Sequence, residues 1–159
     1  LEKRTYTLSR GDYMSNLGKL LKIILIICII IAIPLVIILP FILKGLIFSK
    51  LIVYPNSLVM LLIAIQFTKL FKSIEEDNPF TLKNTKILKN ASIYSFVMSL
   101  LWFIESIYLS FIKSCSHIDY YIVIIFFIIL FFGVGTALYI LSKLFEKATN
   151  YKEENDLTI

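Results

Sequence analysis

The sequence predicts an all-α protein, a four-helix transmembrane bundle built from two tandem helical hairpins. Of its 159 residues, 58% are hydrophobic and 17% are charged, whereas soluble domains have about 25% charged residues. The charges are clustered, and between them lie four apolar runs of about 20 residues, the length that crosses a bilayer. We therefore expect a single integral membrane domain with no separate soluble module.

The first two apolar runs form the first predicted hairpin. The first span covers about residues 23–43 and is too long for a signal peptide, and no Ala-x-Ala-like cleavage site follows it. We expect this helix to bend or loosen at Pro34 and Pro40, because each proline removes a backbone hydrogen bond. The second span covers about residues 55–71, and Pro55 suits its first helical turn, where a backbone N–H is not needed.

The third span covers about residues 91–112 and the fourth about residues 120–141. Small residues recur at helical spacing along the third span and predict a helix–helix contact face. They are Ala91, Ser95, Ser99, Ser106 and Ser110. In the fourth span, the small pair Gly133 and Ala137 predicts a second contact face.

The distribution of basic residues predicts the orientation of the chain. After residue 13, ten lysines flank one set of span ends, whereas the two loops on the other side hold three, Lys44, Lys50 and Lys113. Cytoplasmic loops of membrane proteins carry an excess of Lys and Arg. Both termini are therefore predicted to lie in the cytoplasm, an N-in/C-in topology, with short cytoplasmic extensions of the helices.

The first residues are predicted to be a leader or a mis-assigned start. Residues 1–13 precede Met14, and codons for the Arg-Gly-Asp-Tyr before it can form a purine-rich ribosome-binding sequence. Segments of this kind are excluded from fold reasoning. We therefore expect the integral membrane domain to occupy residues 14–159.

Two polar stretches at the predicted cytoplasmic ends of the second and fourth spans resemble each other. Residues 69–81 read KLFKSIEEDNPFT, and residues 143–159 read KLFEKATNYKEENDLTI. Internal duplication and independent selection for the same boundary chemistry would each produce this likeness. The C-terminal stretch either packs beside the middle stretch to form one composite surface, or each stretch is a separate helix cap.

Local chemistry predicts how the chain turns between the second and third spans. Pro79 disfavours a helical conformation at Asn78, so the second helix should stop near Asp77. Thr81 is a natural N-cap for the helix that leads into the third span. Both exit helices should continue as amphipathic extensions. Their predicted apolar faces are Leu70, Phe71 and Ile74 in the first and Leu141, Leu144, Phe145 and Ala148 in the second.

The sequence contains no pattern that predicts catalysis or metal binding. A zinc site needs three or four ligands, but His117 is the single histidine and lies in a loop with Cys115. Phosphate-binding glycine loops and catalytic signatures are absent, and no convergent cluster of titratable residues is visible. We therefore expect no enzymatic activity, no cofactor and no metal.

Glu105 is an ionisable residue in the outer half of the third span. Ionisable residues inside a span are costly and mark functional sites by default. Three interpretations stay open: an acid at the membrane interface, a buried hydrogen bond within a packed face, or the centre of an ion or substrate path. A single acid makes a poor ion path, which favours the packing role.

Acidic patches lie in both polar stretches. They are either solvated charge or a cytoplasmic docking surface, since acidic residues are unusual beside an anionic inner leaflet. The predicted partner-binding residues are Glu75, Glu76, Asp77, Asn78, Pro79, Phe80, Thr81, Glu153, Glu154, Asp156, Leu157 and Thr158. Their acidic members would complement a basic partner.

Both stretches resemble motifs of a known family. LFKSIEEDNPFT is similar to an F-x-x-L-x-x-G-x-P-F-T type loop, and LFEKATNYKEENDLTI is similar to an F-x-x-G-x-x-L-x-x-E-x-D-L-T-V ending. The chain after Met14 therefore resembles the small four-span bacterial membrane proteins grouped as domain of unknown function 2975. It departs from the family pattern at Asn78 and at Ala148-Thr149, where a glycine is expected.

The resemblance implies a bacterial cytoplasmic membrane and a kind of partner. Members of the family are often encoded beside a small Cro/CI-type helix-turn-helix regulator. We therefore expect a cytoplasm-facing membrane anchor or regulator that binds such a protein, with no direct contact to nucleic acid and with homo-oligomerisation left open. The alternative is a small transporter, channel or bacteriocin-immunity-type protein that uses Glu105.

Overall fold

A computed structural model describes residues 2–42, 47–76, 80–112 and 118–156, nearly all of which are helical. The helices are α1 (Glu2–Ile42), α2 (Ile47–Glu75), α3 (Leu82–Ile112) and α4 (Ile118–Asp156). No strand occurs in the four described ranges. Each helix contains a stretch that is long and apolar enough to cross a membrane. The predicted all-α fold with four membrane-spanning helices is confirmed.

The helices pack on one another in the order in which they follow along the chain. α1 contacts α2, α2 contacts α3, and α3 contacts α4, with the most extensive contact between α3 and α4. Both predicted hairpins are therefore present. Within the described ranges, α1 makes no close backbone contact with α3 or α4. Most of its apolar side chains stay exposed, which costs little against lipid tails that are equally apolar.

α3 lies between α2 and α4 in this row of helices. Its buried residues follow spacings of three and four, the repeat that keeps one stripe of a helix against its neighbour. This stripe includes Asn84, Leu88, Ala91, Ser95 and Met98. α4 presents a stripe with the same repeat, which includes Ile124, Gly135, Leu138, Ser142 and Thr149. One apolar cluster joins α2, α3 and α4 through Leu70, Leu88 and Leu138.

The contact face of α4 differs from the predicted one. A Cβ placed on Gly133 would meet no atom within 4 Å, and Ala137 is exposed, so the predicted small pair faces away from α3. Gly135 is the buried glycine, and a Cβ there would lie 2.9 Å from Cε1 of Phe96. Residues two positions apart on a helix point roughly 200° apart. Choosing Gly133 instead of Gly135 therefore selected the opposite face of α4. The Oγ of Ser92 donates a hydrogen bond to the Gly135 carbonyl oxygen over 2.9 Å.

The predicted small-residue stripe of α3 is a contact face over its first part. Ala91, Ser95 and Ser99 are buried, whereas Ser110 at the other end is exposed. The Oγ of Ser99 donates a hydrogen bond to the Ile128 carbonyl oxygen of α4 over 3.0 Å. Small side chains allow two helices to approach until such hydrogen bonds form.

Three prolines lie within helices. α1 continues through Pro34 and Pro40, so neither proline ends the helix. The prediction that Pro55 lies in a first helical turn is wrong, because Pro55 stands inside α2. The mostly apolar residues 47–53 extend α2 ahead of this proline. Cooperative extension of a helix by several residues can outweigh one lost hydrogen bond.

Candidate functional site

The predicted partner-binding residues of the middle stretch lie where the chain turns from α2 into α3. α2 ends at Glu75, a turn follows at Glu76, and α3 begins at Leu82. The helix therefore ends close to its predicted position. The next predicted residues, Asp77, Asn78 and Pro79, lie outside the described residues.

Thr81 caps α3, as predicted. Its Oγ1 accepts a hydrogen bond from the backbone N–H of Asn84 over 3.2 Å, which satisfies one of the unpaired donors at a helix N-terminus. The Asn84 side chain is fully buried, and its Nδ2 donates to the Oγ of Ser73 over 2.7 Å. The first turn of α3 is therefore tied to the end of α2. Asn84 is not among the predicted residues. Its position one turn before the apolar Leu88 places both on the same face of α3, and this spacing could have indicated that Asn84 is buried.

Phe80 and Phe145 bring the two polar stretches together. Phe80 stands just before α3, and Phe145 is the last residue of the Lys-Leu-Phe triplet of α4. Their ring centroids lie 5.1 Å apart with an interplanar angle of 40°, within the range of favourable aromatic pairs. Phe145 also packs against the apolar cluster that joins three helices. The two stretches therefore meet at these two rings. Residues 69–81 and 143–156 are called the paired segments below.

The two Lys-Leu-Phe triplets occupy different environments. Leu70 is 8% exposed, whereas its counterpart Leu144 is 58% exposed. On α2 the predicted apolar face is confirmed, because Ile74 packs against the same cluster as Leu70. On α4 the predicted face is confirmed at Phe145, which packs against that cluster, and it is wrong at Leu141 and Leu144, which are exposed. Within the described ranges α2 has neighbours on two sides and α4 on one, so more of α4 stays uncovered.

Glu75 and Glu76, the described acidic residues of the middle stretch, already have partners within the chain. Glu75 accepts a hydrogen bond from the Nζ of Lys22 in α1 over 3.1 Å. Oε1 of Glu76 lies 3.9 Å from Nζ of Lys72, and both side chains are exposed. Exposed ion pairs contribute about 0–1 kcal/mol, so Glu76 can exchange its lysine for a partner's cation at little cost. Glu154 of α4 is exposed as well.

The end of α4 carries the remaining predicted residues. Glu153 and Asp156 lie within the helix, whereas Leu157 and Thr158 lie outside the described residues. The helix continues through the polar stretch as far as Asp156. The helical extension predicted after the fourth span is therefore present.

α1 approaches α2 closely at this same end of the helices. A Cβ on Gly18 would lie 2.9 Å from the backbone nitrogen of Glu75 and 3.2 Å from the carbonyl oxygen of Phe71. Small residues permit such an approach of two helix backbones. Together with the ion pair between Lys22 and Glu75, this contact fixes α1 against the last turn of α2.

Glu105 is buried among the helices. It is 7% exposed, and its Oε2 has no hydrogen-bond partner among the described residues. Trp102, one turn earlier, stacks on Phe127 of α4 with ring centroids 4.7 Å apart. Buried polar atoms without partners are costly, so Glu105 is a candidate site within the helix packing.

The described part of the chain contains no cluster of three His, Cys, Asp or Glu side chains that could hold a metal ion. Cys28 is an exposed free thiol on α1. His117 and Cys115 lie outside the described residues. Two features therefore remain as candidate sites: the surface formed by the paired segments and the buried acid Glu105.

Comparison with known proteins gives one kind of match. A family model described as Protein of unknown function (DUF2975) matches residues 46–159. This range contains α2, α3 and α4 with both polar stretches, while α1 precedes it. No curated protein and no solved structure matches the chain.

Proposed function

The chain belongs to the family Protein of unknown function (DUF2975), and we propose that it is a membrane anchor whose paired segments bind a small helix-turn-helix regulator. The four membrane-spanning helices hold this surface at the cytoplasmic face of a bacterial cell membrane. The role is binding rather than catalysis. The chain itself makes no contact with nucleic acid in this proposal.

The contact between Phe80 and Phe145 carries the proposal. It joins two segments that are far apart in the sequence, with ring centroids 5.1 Å apart. Phe80 stays 45% exposed, and the exposed carboxylates of Glu76 and Glu154 belong to the same segments. An aromatic residue with charged residues around it is typical of protein-binding surfaces.

The lysines at this end of the helices support the cytoplasmic placement. They cluster at the ends of α2 and α4 and at the start of α3, where the positive-inside rule expects them. They are Lys69, Lys72, Lys83, Lys86, Lys89, Lys143, Lys147 and Lys152. A cytoplasmic regulator would reach the paired segments directly from this side.

Capture of the regulator by the purified chain tests the proposal. The full chain is tagged, solubilised in detergent and mixed with a small Cro/CI-type helix-turn-helix regulator. We expect co-purification with the unaltered chain. We expect loss of co-purification when Phe80 and its two predicted neighbours Asp77 and Pro79 are replaced by alanine. A second variant, in which Asp156, Leu157 and Thr158 are replaced by alanine, tests the C-terminal stretch in the same way.

Glu105→Gln is the matched control, since Glu105 lies within the helix packing and outside the paired segments. This variant should capture the regulator as the unaltered chain does. If both triple-alanine variants still capture the regulator at full yield, the docking proposal is wrong.

A second candidate function is transport, conduction or immunity centred on Glu105. The observation that favours it is the burial of this acid with no hydrogen-bond partner for Oε2 among the described residues. Ionisable residues at such positions mark ion or proton paths in membrane proteins. Ion flux into proteoliposomes would test it: Glu105→Gln should abolish the flux, and the triple-alanine variants should leave it unchanged. An unaltered chain that supports no flux would exclude this function for the ions tried.

A further inference from the structure

A groove between α2 and α3 is lined by four lysines from the two helices. Its volume is about 420 Å³, within the range of roughly 300–1,000 Å³ that is typical of ligand clefts. Residues three or four positions apart on each helix share a face, and these faces form the two walls. Its polar lining includes Gln66, Lys69, Lys72, Glu76, Lys83 and Lys86.

Positive charge in the groove exceeds negative charge. Lys72 lies 3.9 Å from Glu76 and is paired with it. Lys69, Lys83 and Lys86 have no carboxylate within ion-pair distance among the described residues. Clefts lined by charges of one sign concentrate counter-ions, so this groove attracts anions.

Two of these lysines stand at the start of α3. The helix begins at Leu82, and its first turn contains no acidic residue. The N-terminus of a helix carries partial positive charge and favours negative groups. Lys83 and Lys86 add further positive charge at this end, and an anion in the groove would interact favourably with the helix and with both lysines.

Gln66 brings a hydrogen-bonding amide to the wall of the groove. It lines the groove one turn deeper in the span than Lys69 and is 7% exposed. Buried side-chain amides in proteins are hydrogen-bonded to protein, water or ligand. Its NH₂ group can donate two hydrogen bonds to an acceptor in the groove.

We propose that this lysine groove binds a phosphate-ester anion. Lysine ammonium groups act as point charges that bind phosphate, and basic pockets between membrane helices bind anionic headgroups. Gln66 donates a hydrogen bond to a phosphate oxygen, while Lys69, Lys83 and Lys86 neutralise the phosphate charge. The ester is either the headgroup of an anionic lipid or a soluble metabolite. The groove recognises the same phosphate in both.

Titration of the purified full chain with defined ligands tests this assignment. The chain in neutral detergent is titrated with phosphatidylglycerol, with phosphatidylcholine and with glycerol 3-phosphate, and native mass spectrometry measures the bound fraction. We expect phosphatidylglycerol to bind at least about tenfold more tightly than phosphatidylcholine, whose choline cancels the phosphate charge. Saturable binding of glycerol 3-phosphate identifies a soluble ligand, and binding of the anionic lipid alone identifies a headgroup. The proposal is wrong if neither anion binds saturably.

Matched lysine variants distinguish anion binding in the groove from anion binding by the general positive charge of the surface. Lys83→Gln/Lys86→Gln removes two groove lysines, and Lys147→Gln/Lys152→Gln removes two exposed lysines of α4. A lysine near a membrane surface contributes about fivefold in affinity, so the first variant should bind anions about 30-fold more weakly. The second variant should change binding less than about twofold, because its lysines do not line the groove. Equal losses in both variants would overturn the proposal.

Two further variants test the hydrogen bond from Gln66 and the charge of the groove lysines separately. Gln66→Leu leaves every charge in place and should weaken anion binding about fivefold through the lost hydrogen bond. Unchanged binding in this variant would overturn the assignment to the groove. Lys83→Arg/Lys86→Arg keeps the charge and should retain most of the binding. It also shows that a loss in the glutamine variant does not come from misfolding, which circular dichroism checks directly.

Discussion

The rings of Phe80 and Phe145 pack with their centroids 5.1 Å apart, and this contact joins the turn before α3 to the polar end of α4. Because Phe145 also packs on the apolar cluster of three helices, the contact positions both polar stretches relative to the membrane-spanning part. The two stretches therefore meet at this ring contact, which is what a composite surface would require.

Phe145→Ala should loosen the C-terminal end of α4. A fully buried Phe→Ala costs about 3–5 kcal/mol, and since Phe145 is half-buried we expect about 1–3 kcal/mol. Hydrogen–deuterium exchange over residues 142–156 should rise in this variant. Leu144→Ala is the control, because Leu144 is exposed beside it, and it should leave exchange unchanged.

A double-mutant cycle with Phe80→Ala measures the ring contact itself. Aromatic pairs contribute about 0.5–1.5 kcal/mol beyond the area they bury. The two single variants should therefore cost more in sum than the double variant costs. Strictly additive effects would show that the two rings do not interact in the membrane-embedded protein.

Gly135→Val should destabilise the contact between α3 and α4, and Gly133→Val should not. A Cβ at Gly135 lies 2.9 Å from Cε1 of Phe96, whereas one at Gly133 meets nothing within 4 Å. Overpacking of this kind costs about 1–3 kcal/mol. Both substitutions change helix propensity equally, so the difference between their unfolding free energies in detergent isolates the contact. Equal effects would mean that the register of α4 is not the one described.

Gly18→Val should separate α1 from the end of α2. Its Cβ would lie 2.9 Å from the backbone nitrogen of Glu75, and a backbone atom cannot rotate away as a side chain can. Lys22→Gln should have a smaller effect, about 1 kcal/mol or less, because the ion pair is partly exposed. Thermal unfolding in detergent checks this order. Asn16→Val, at an exposed position of α1, controls for the added valine.

Ser92→Ala should weaken the contact between α3 and α4 more than Ser95→Ala does. Ser92 donates to the Gly135 carbonyl oxygen of the neighbouring helix, whereas Ser95 donates to the Ala91 carbonyl oxygen of its own helix. Hydrogen bonds between membrane helices contribute about 0.6 kcal/mol on average. Both serines are buried, so a difference in unfolding free energy reports the interhelical hydrogen bond. A larger loss for Ser95→Ala would contradict it.

The sequence predicts the helices and their ends well because these features are local. Four apolar runs are enough for four spans, and the cap at Thr81 follows from a hydroxyl placed three residues before an N–H donor. The turn after Glu75 is likewise close to the position that the proline predicts. Each of these predictions depends on a few neighbouring residues.

The faces of the helices could not be predicted in the same way. Almost every residue of α4 between 121 and 141 is apolar, so no alternation of polar and apolar residues marks the side that meets α3. The choice between Gly133 and Gly135 depends on Phe96 of another helix. The lysine groove was likewise visible in sequence only as charge beside a membrane, because its walls come from two helices.

Within the described ranges, the arrangement of the helices in a row leaves α2 as the one helix that α1 contacts. Among the described residues it reaches α3 and α4 only through α2, and the approach at Gly18 with the ion pair from Lys22 joins it to the last turn of that helix. A movement of α1 at this place is therefore transmitted first to Glu75, the residue at which the chain leaves α2 for the turn toward Phe80.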